Sequence, residues 1–417
     1  MSALSRAPQL AAGIMAHLDP AVTTSSTGYV AGVVPYDPFS DEVMASPFAA
    51  YRELLERCPV HHQELDGGDL WTATRHHDVD LVARDHLRWT ATTGQGPRPS
   101  ARVALFDDPP DHTRLRRIVQ AAFSAPRVAA LGPMIETLTD ELLDAVDGTG
   151  HWDLHDALAE PLPVIVIARL LGVPEELRTT FKHWSDEILA AFNDPTRGRE
   201  ERRLMQAFFD EQVEARRRSV DPPDDLTTVL SLTEDDDGHR LTTEELWSVL
   251  VQLLIGGNET TTSGITNLVW RLLEDRTRWE AVLADRTLVE VAVEESLRHD
   301  PPVLGLYRQA VADTELSGTP VPAGARMMMC YGAANRDADV FERPDEFRLD
   351  RPATELRRHL AFGTGPHLCV GAALARLEMR VALTRLLDRF PLLRHDGPTT
   401  RIETYLLWGR RSLPVAA

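Results

Sequence analysis

The sequence predicts a mainly α-helical fold with a minor antiparallel sheet. Apolar residues recur at helical spacing through most of the chain after residue 35, whereas short strand-like runs broken by Gly and Pro are concentrated in residues 305–335. The chain also has no internal repeat and no regular alternation of strand and helix patterns. That last observation argues against a parallel α/β architecture.

The first elements of the chain follow a segment without periodicity. Residues 1–35 are rich in Ala, Ser, Thr and Gly, so we predict a flexible N-terminal tail. Behind Pro109 and Pro110, residues 112–131 predict an amphipathic helix that begins at about Asp111. Its apolar face contains Leu115, Ile118, Val119, Ala122 and Phe123.

The second half of the chain contains clearer helix boundaries. Residues 221–226 and 233–239 are polar, turn-rich connectors. Three helices follow: one from Thr242, in a capping-box pattern with Glu245, to about Asp275, one from Thr287 to His299 before Pro301-Pro302, and one that begins at Gly371.

Composition limits the function classes. The 44 basic and 64 acidic residues give a net charge of -20, which repels nucleic acid and anionic lipid. Cys58, Cys330 and Cys369 are widely spaced and odd in number, which fits neither a disulfide framework nor a structural zinc site and favours a reducing cytoplasm. No segment has the roughly 20 apolar residues of a membrane span, and we expect no signal peptide.

The long predicted helix contains an unusual local sequence, LLIGGNETTTSGI, at residues 253–265. A glycine in a helix interior costs about 0.8–1 kcal/mol relative to alanine, and threonine is also a weak helix former. One interpretation is a helix that opens locally for a ligand, with Glu259 and Thr260 handling protons. The alternative, equally supported by this stretch alone, is a kinked helix that exposes a polar turn.

Two further pairs of charged residues are weak signals by themselves. Arg298 shares a helical face with both Glu295 and Glu294, and such pairs are usually solvated. His112 and Arg116 are one turn apart and suit an anionic group, although a basic solvated face is the commoner explanation.

The segment FGTGPHLCVG at residues 362–371 carries a stronger signal because its features agree. Gly363 and Gly365 permit a close backbone approach to a flat ligand, and Cys369 lies at a helix N-terminus, which favours a thiolate. With no second cysteine nearby, a porphyrin is a suitable source of the other metal ligands, leaving the thiolate as axial ligand. A buried structural cysteine and a reactive nucleophile are the alternatives.

The same segment resembles the haem loop of the cytochrome P-450 family, F-x-x-G-x-H-x-C-x-G, at every fixed position. The other motifs fall in the order seen in that family. GGNET at 256–260 resembles its oxygen-binding motif, ESLR at 295–298 its E-x-x-R pair, HTRLR at 112–116 its early haem-propionate helix, and YRQAVAD at 307–313 its third propionate-binding segment. The resemblance implies one triangular, mostly helical domain over residues 36–417.

The resemblance assigns roles to individual residues. Cys369 is expected to bind the iron of haem b (iron protoporphyrin IX), in a loop that Phe362 and Gly371 complete. Glu259 and Thr260 are expected to be the acid–alcohol pair that guides protons. The propionate ligands are expected to be His112, Arg116, Arg308 and His367.

The chain departs from the family pattern at one structural position. Glu295 and Arg298 are expected to hold the loop before Cys369 together with an arginine from a P-E-R-F-like segment. This chain reads RPDEF at 343–347, with Glu346 in place of that arginine. Arg348 and Arg351 are the two candidates for the missing side chain, and the sequence does not choose between them.

The activity implied by the resemblance is a haem-dependent monooxygenase. It is expected to insert one oxygen atom of O2 into a hydrophobic organic substrate. The alternatives are a haem-binding sensor or auxiliary protein and a peroxide-driven haem enzyme, and the presence together of Glu259, Thr260 and Cys369 argues against both.

The chain has no flavin, nicotinamide or iron–sulfur signature, so electrons are expected from a ferredoxin or flavodoxin with its NAD(P)H reductase. We expect a monomer with a local basic docking patch drawn from Arg114, Arg117, Arg357, Arg358, Arg376 and Arg380. The substrate is expected among residues 88–106, 180–215, 302–306 and 405–408, with Arg98 and Arg102 as candidate partners of a substrate carboxylate.

Overall fold

Helices form most of the structure, a computed structural model that describes residues 36–64, 69–99, 104–190, 197–235, 237–402 and 404–417. The predicted tail, residues 1–35, lies outside these ranges. The helices are α1 Asp41–Ala45, α2 Phe48–Arg57, α3 His76–Arg84, α4 Asp111–Ala122, α5 Ala125–Ala130, α6 Gly132–Asp144, α7 Pro161–Leu170, α8 Arg178–Ala190, α9 Arg199–Arg218, α10 Leu226–Leu232, α11 Thr243–Glu274, α12 Arg276–Ala284, α13 Leu288–His299, α14 Tyr331–Ala334, α15 Ala353–Leu356 and α16 Ala372–Arg389.

The sheets are small. The strands are β1 Val60–Gln63, β2 Leu70–Ala73, β3 Trp89–Thr90, β4 His151–Asp153, β5 Leu306–Ala310, β6 Thr314–Leu316, β7 Thr319–Val321, β8 Arg326–Met329, β9 Arg394–His395, β10 Thr400–Arg401, β11 Arg410–Ser412 and β12 Pro414–Ala416. The largest sheet has the order β1-β2-β8-β5-β3. It is antiparallel except between β2 and β8, which are parallel, so the predicted antiparallel character holds for all but one of its strand pairs.

The centre of the helical layer is α11. Its start has the predicted capping box: the Glu245 N–H donates to Thr242 Oγ1 at 3.2 Å, and the Thr242 N–H donates to Glu245 Oε2 at 2.9 Å. These bonds satisfy two of the free donors at the helix N-terminus. The helix packs against α7, α13 and α16, and its buried apolar residues belong to the largest core cluster. Helix α11, which carries Glu259 and Thr260, is therefore held firmly by packing on several sides.

The other predicted helices are close to the observed ones. The segment 112–131 forms two helices, α4 and α5, which are separated at Phe123 and Ser124. Helix α13 follows Thr287 and ends at His299, and α16 begins just after Gly371. The break between α4 and α5 lets the apolar face of each helix join the same core cluster.

The membrane test gives a limited result. Within the described ranges, no single helix is long and apolar enough to cross a bilayer, although the bent pair Asp111–Ala130 and Gly132–Asp144, at 66° to each other, meets the length and composition criteria together.

Candidate functional site

The loop that carries Cys369 connects a short 3-10 turn, Gly365–His367, to helix α16. Its conformation needs glycine: Gly363 has a φ of 68° and Gly365 a φ of 70°. A Cβ atom at Gly365 would come within 2.9 Å of the Ala83 carbonyl oxygen. Glycine is therefore required at position 365 partly because helix α3 packs closely against it, a contact that the sequence did not reveal.

Cys369 is held at the N-terminal end of α16. Its backbone N–H donates to the Phe362 carbonyl at 2.9 Å, which closes the loop. The side chain is exposed on one side, yet protein surrounds it closely enough that burial raises the pKa of the thiol. The backbone N–H groups of Gly371 and Ala372 and the guanidinium groups of Arg116 and Arg376 lower this pKa. These donors favour a thiolate as metal ligand.

All four predicted propionate ligands are grouped beside this loop. The rings of His112 on α4 and His367 in the loop lie 4.1 Å apart, and Arg308 on β5 is buried. Burial, followed by the charges of Arg116 and Arg308, lowers the pKa of His112 to about 4. Burial and then Arg308, His112 and Arg116 lower the pKa of His367 to about 2. Protonation of either histidine is therefore unfavourable, because it would add a positive charge beside Arg116 and Arg308.

Arg116 has a position that the sequence did not predict. Its Nη2 donates to the carbonyl oxygen of Leu368, the residue before Cys369. The guanidinium therefore supports the loop directly, in addition to belonging to the cationic cluster.

This cluster fits a ligand with buried carboxylates. Asp107 and Asp108 act on His112, and Asp108 on Arg308, through their charges, but within the described ranges neither forms an ion pair with them. Arg308 Nη1 donates to the Tyr307 carbonyl at 2.9 Å, and Nε2 of His367 is buried without a hydrogen-bond partner. A group of cations beside an orphaned buried nitrogen suits an anionic ligand. The two propionates of haem, together with a thiolate beside them for the iron, satisfy these groups.

The acid–alcohol pair lies on α11, which stays helical through residues 256–260. Thr260 Oγ1 donates to the Gly256 carbonyl at 2.5 Å, and Oε1 of Glu259 is buried without a hydrogen-bond partner among the described residues. The backbone therefore does not open here. The polar side chains, rather than free backbone groups, are what this turn offers to a ligand.

The structural network around Glu295 identifies its second arginine. Glu295 accepts from Arg298 at 2.7 and 2.8 Å and from Arg351 Nε at 2.8 Å, and all three side chains are fully buried. Arg348 contributes its backbone N–H to Glu295, at 2.9 Å, while its side chain pairs with Asp350. Arg351 thus provides the side chain that the sequence left open.

Glu294 does not pair with Arg298, although the helical spacing allows it. It binds Arg376 on α16, through contacts of 2.6 and 2.9 Å, and His359 Nε2 at 3.0 Å. Arg376 and His359 are far from Glu294 in sequence, so no local pattern could have indicated this arrangement.

Two of the predicted substrate-surrounding segments meet, and a third adjoins them. The Leu304 N–H donates to the Leu406 carbonyl at 2.8 Å, and the N–H of Tyr307, the residue directly after 302–306, donates to the Gln95 carbonyl at 3.1 Å. Residues 100–103, with Arg102, and residues 191–196 lie outside the described ranges.

Arg326 is a buried residue of this region that sequence reasoning missed. It donates to Thr93 Oγ1 at 2.6 Å and to the carbonyl oxygens of Gly94, at 3.0 Å, and Gly96. In the described part of the chain no carboxylate pairs with it, and burial lowers its pKa to about 10. The signal in the sequence is a single charged residue at the start of an otherwise apolar strand, RMMM.

Comparison with known proteins gives consistent results. The model of the family described as cytochrome P450 matches residues 72–412. Cytochrome P450 107B1 of Saccharopolyspora erythraea is 36% identical over 94% of this chain and 99% of its own length, and cytochrome P450 monooxygenase PikC of Streptomyces venezuelae is 35% identical over 92% and 94%. The crystal structure of CYP109E1 from Bacillus megaterium in complex with testosterone has a TM-score of 0.81 and 33% identity over 89% of this chain and 99% of that one.

The matched residues 72–412 include the Cys369 loop and all residues of the cationic cluster. Members of the matched family bind the iron of protoporphyrin IX, and the donor set beside Cys369 fits that group. This chain therefore belongs to the cytochrome P450 family and is a haem-dependent monooxygenase.

Proposed function

We propose that this enzyme inserts one oxygen atom of O2 into a hydrophobic organic substrate, with electrons from an external ferredoxin or flavodoxin and its NAD(P)H reductase. Cys369 is the iron ligand, His112, Arg116, Arg308 and His367 hold the propionates, and Phe362 and Gly371 complete the haem loop. Bound haem, with the Cys369 thiolate as a ligand of its iron, would supply electron density that favours O–O cleavage. The protein supplies the ligand geometry and the protons.

The observation that carries this proposal is the arrangement of Glu259 and Thr260. The Thr260 hydroxyl donates to the helix backbone, so its free lone pairs are available as acceptors, while Glu259 has a buried oxygen without a partner. A carboxyl group that lacks an internal partner is suited to receive a proton from outside, and an anchored hydroxyl on the same turn is suited to pass one inward. A sensor or a peroxide-driven enzyme has no need for such a pair.

The test compares two sources of oxidant and electrons for the enzyme. Purified protein is given candidate hydrophobic substrates with NAD(P)H, a reductase and a ferredoxin, or with hydrogen peroxide alone. We expect product in the first case, with one atom from 18O2 incorporated. Product from peroxide alone at a higher rate, or haem binding without turnover in either case, would favour the respective alternative.

Thr260→Ala is expected to retain substrate binding and to divert reducing equivalents to hydrogen peroxide. Because proton transfer by a positioned group is worth about 100-fold or more in rate, product formed per NAD(P)H consumed is expected to fall roughly tenfold. The matched control is Thr262→Ala, which removes a hydroxyl that donates to the Ala159 carbonyl at 3.0 Å. Equal coupling in wild type and Thr260→Ala would refute the assigned role.

The substrate is proposed to be a hydrophobic molecule bounded by residues 88–106, 302–306 and 405–408, with 180–215 as a further wall. The contact between two of these segments, with a third adjoining them, supports this proposal. The bound testosterone of CYP109E1, a related protein, is a molecule of this chemical class. Pockets for such molecules are mainly apolar, with few polar groups that fix orientation.

The electron donor is proposed to dock where exposed cations adjoin the Cys369 loop. Three arginines of the predicted patch pair with carboxylates: Arg376 with Glu294, Arg380 with Glu290, and Arg114 with Glu245. Arg357 and Arg358 are exposed, and no ion pair is shown for either within the described ranges. Leu368, beside Cys369, is 46% exposed and offers an apolar contact. These three residues form the proposed docking surface.

Reversing the charges of Arg357 and Arg358 to Glu is expected to slow reduction by an acidic ferredoxin roughly tenfold at low salt. The effect should shrink above about 0.1 M salt, where the Debye length falls to about 10 Å. The control reverses Arg203 and Arg218 on α9, which changes the net charge equally. If both double variants were reduced at the same rate, the docking surface would lie elsewhere.

We also propose that the enzyme acts as a monomer in the cytoplasm. A ligand thiolate must stay reduced, which a cytoplasmic location favours. Sedimentation of the purified protein tests the oligomeric state.

A further inference from the structure

Glu294 links two separate elements on the side of the molecule that carries the Cys369 loop. Its carboxylate receives both Nε and Nη2 of Arg376 on α16, at 2.6 and 2.9 Å. The same carboxylate accepts from Nε2 of His359, in the segment before the loop, at 3.0 Å. Although burial opposes ionisation, the hydrogen bonds from His359 and Arg376 lower the pKa of Glu294 to about 2. We call these three residues the Glu294 clamp.

Each arm of the Glu294 clamp reaches the loop. The guanidinium of Arg376 lies over the ring of Phe362, 4.4 Å from its centre, and the Phe362 carbonyl accepts the N–H of Cys369. His359 Nδ1 accepts the N–H of Ala361 at 3.2 Å, so Nε2 carries the proton donated to Glu294. The clamp thus fixes the segment that leads into the haem loop at two points.

The Glu294 clamp also fixes the orientation of Arg376. A bidentate carboxylate holds a guanidinium in one plane, which a point contact does not. The side chain of Arg376 is 35% exposed, so without its bonds to Glu294 it would be free to turn toward water.

A second pair joins the same two helices without reaching the loop. Arg380 Nη1 lies 3.1 Å from Glu290 Oε1, one turn away on both helices, and these side chains are 43% and 74% exposed. This pair provides an internal control, since it shares the helices but touches neither Phe362 nor His359.

We propose that Glu294 is a positioning residue for the iron ligand: it holds Arg376 over Phe362 and His359 against the N–H of Ala361, and so fixes the backbone that presents Cys369. This inference rests on the proposed role of Cys369. It assigns Glu294 a role distinct from that of its neighbour Glu295, which belongs to the buried arginine network.

The test uses haem-loaded Glu294→Gln, Glu294→Asp and Glu290→Gln with wild type. The readouts are the fraction of reduced, carbon monoxide-bound protein that shows the strongly red-shifted Soret band, and the rate at which that band is lost in mild urea. Because Glu294→Gln loses charge-assisted hydrogen bonds, we expect the band to be lost about tenfold faster in this variant. Glu290→Gln is expected to match wild type.

Glu294→Asp separates positioning from a simple field effect. It keeps the charge but is shorter, so it cannot reach Arg376 and His359 together, and it is expected to resemble Glu294→Gln. If it matched wild type while Glu294→Gln did not, charge alone would explain the effect and the proposal would be overturned. Equal losses in Glu290→Gln and Glu294→Gln would overturn it too, because generic helix pairing would suffice.

A further variant covers the case in which the Glu294 variants fail to fold. Arg376→Lys keeps the positive charge but loses the two-point contact and the contact with Phe362, and it is expected to lose the band faster than wild type. Wild-type behaviour of Arg376→Lys would overturn the proposal. Absence of the red-shifted band from wild type itself would instead refute the assigned ligand.

Discussion

Cys369→Ser is expected to lose completely the strongly red-shifted Soret band of the reduced, carbon monoxide-bound protein, and with it monooxygenase turnover. Serine is a poor iron ligand at neutral pH and cannot supply the electron density of a thiolate. The donors from Gly371, Ala372 and Arg116 that favour a thiolate would then face a neutral hydroxyl. The difference spectrum of purified protein, with haem quantified separately, is the measurement.

Cys58→Ser is the control for this experiment. Cys58 is half-buried, and its Sγ lies 3.6 Å from the Val60 carbonyl, near the first strand and away from the haem loop. It is expected to show the wild-type spectrum. A red-shifted band that persisted in Cys369→Ser would mean that another residue binds the iron.

Arg351→Met is expected to lower the free energy of unfolding by about 3–5 kcal/mol, the range seen when one partner of a buried ion pair is removed. Arg351 is fully buried, and it binds Glu295, the Glu342 carbonyl at 2.8 Å and Glu355. Its removal leaves Glu295 with Arg298 and the Arg348 N–H, and it removes the guanidinium that donates to the Glu342 carbonyl. Urea unfolding of the haem-loaded protein, followed by circular dichroism, measures the loss.

Arg348→Met separates the two arginine candidates. Its side chain pairs with Asp350 and Glu342, which are 75% and 71% exposed, so the expected loss of stability is much smaller than that for Arg351→Met. Its backbone N–H to Glu295 is unchanged by the substitution. A larger loss for Arg348→Met than for Arg351→Met would reverse the assignment.

Local rules predicted the elements that local interactions determine. The capping box of α11 depends on Thr242 and Glu245, three residues apart, and its hydrogen bonds match the prediction. The Cys369 loop was recognisable because its glycines, histidine and cysteine lie within ten residues. In both cases the information and the structure occupy the same short stretch.

Tertiary partners were beyond such rules. Glu294 and Glu295 both have Arg298 within helical reach, and only packing against α16 and the segment before the haem loop gives Glu294 its partners Arg376 and His359. The parallel pairing of β2 with β8 similarly joins strands separated by much of the chain. Composition and periodicity contain no information about contacts between residues that are far apart in the sequence.

Arg326, on β8, holds residues 93–96 in place mainly by donating to their main-chain oxygens, which every amino acid supplies. Of its three bonded partners, Thr93 alone contributes a side chain, while Gly94 and Gly96 contribute carbonyl groups. The side chains that follow this anchor can therefore change in evolution without loosening it. A family of enzymes built this way can diversify the molecules that it oxidises while the frame of the pocket wall stays constant.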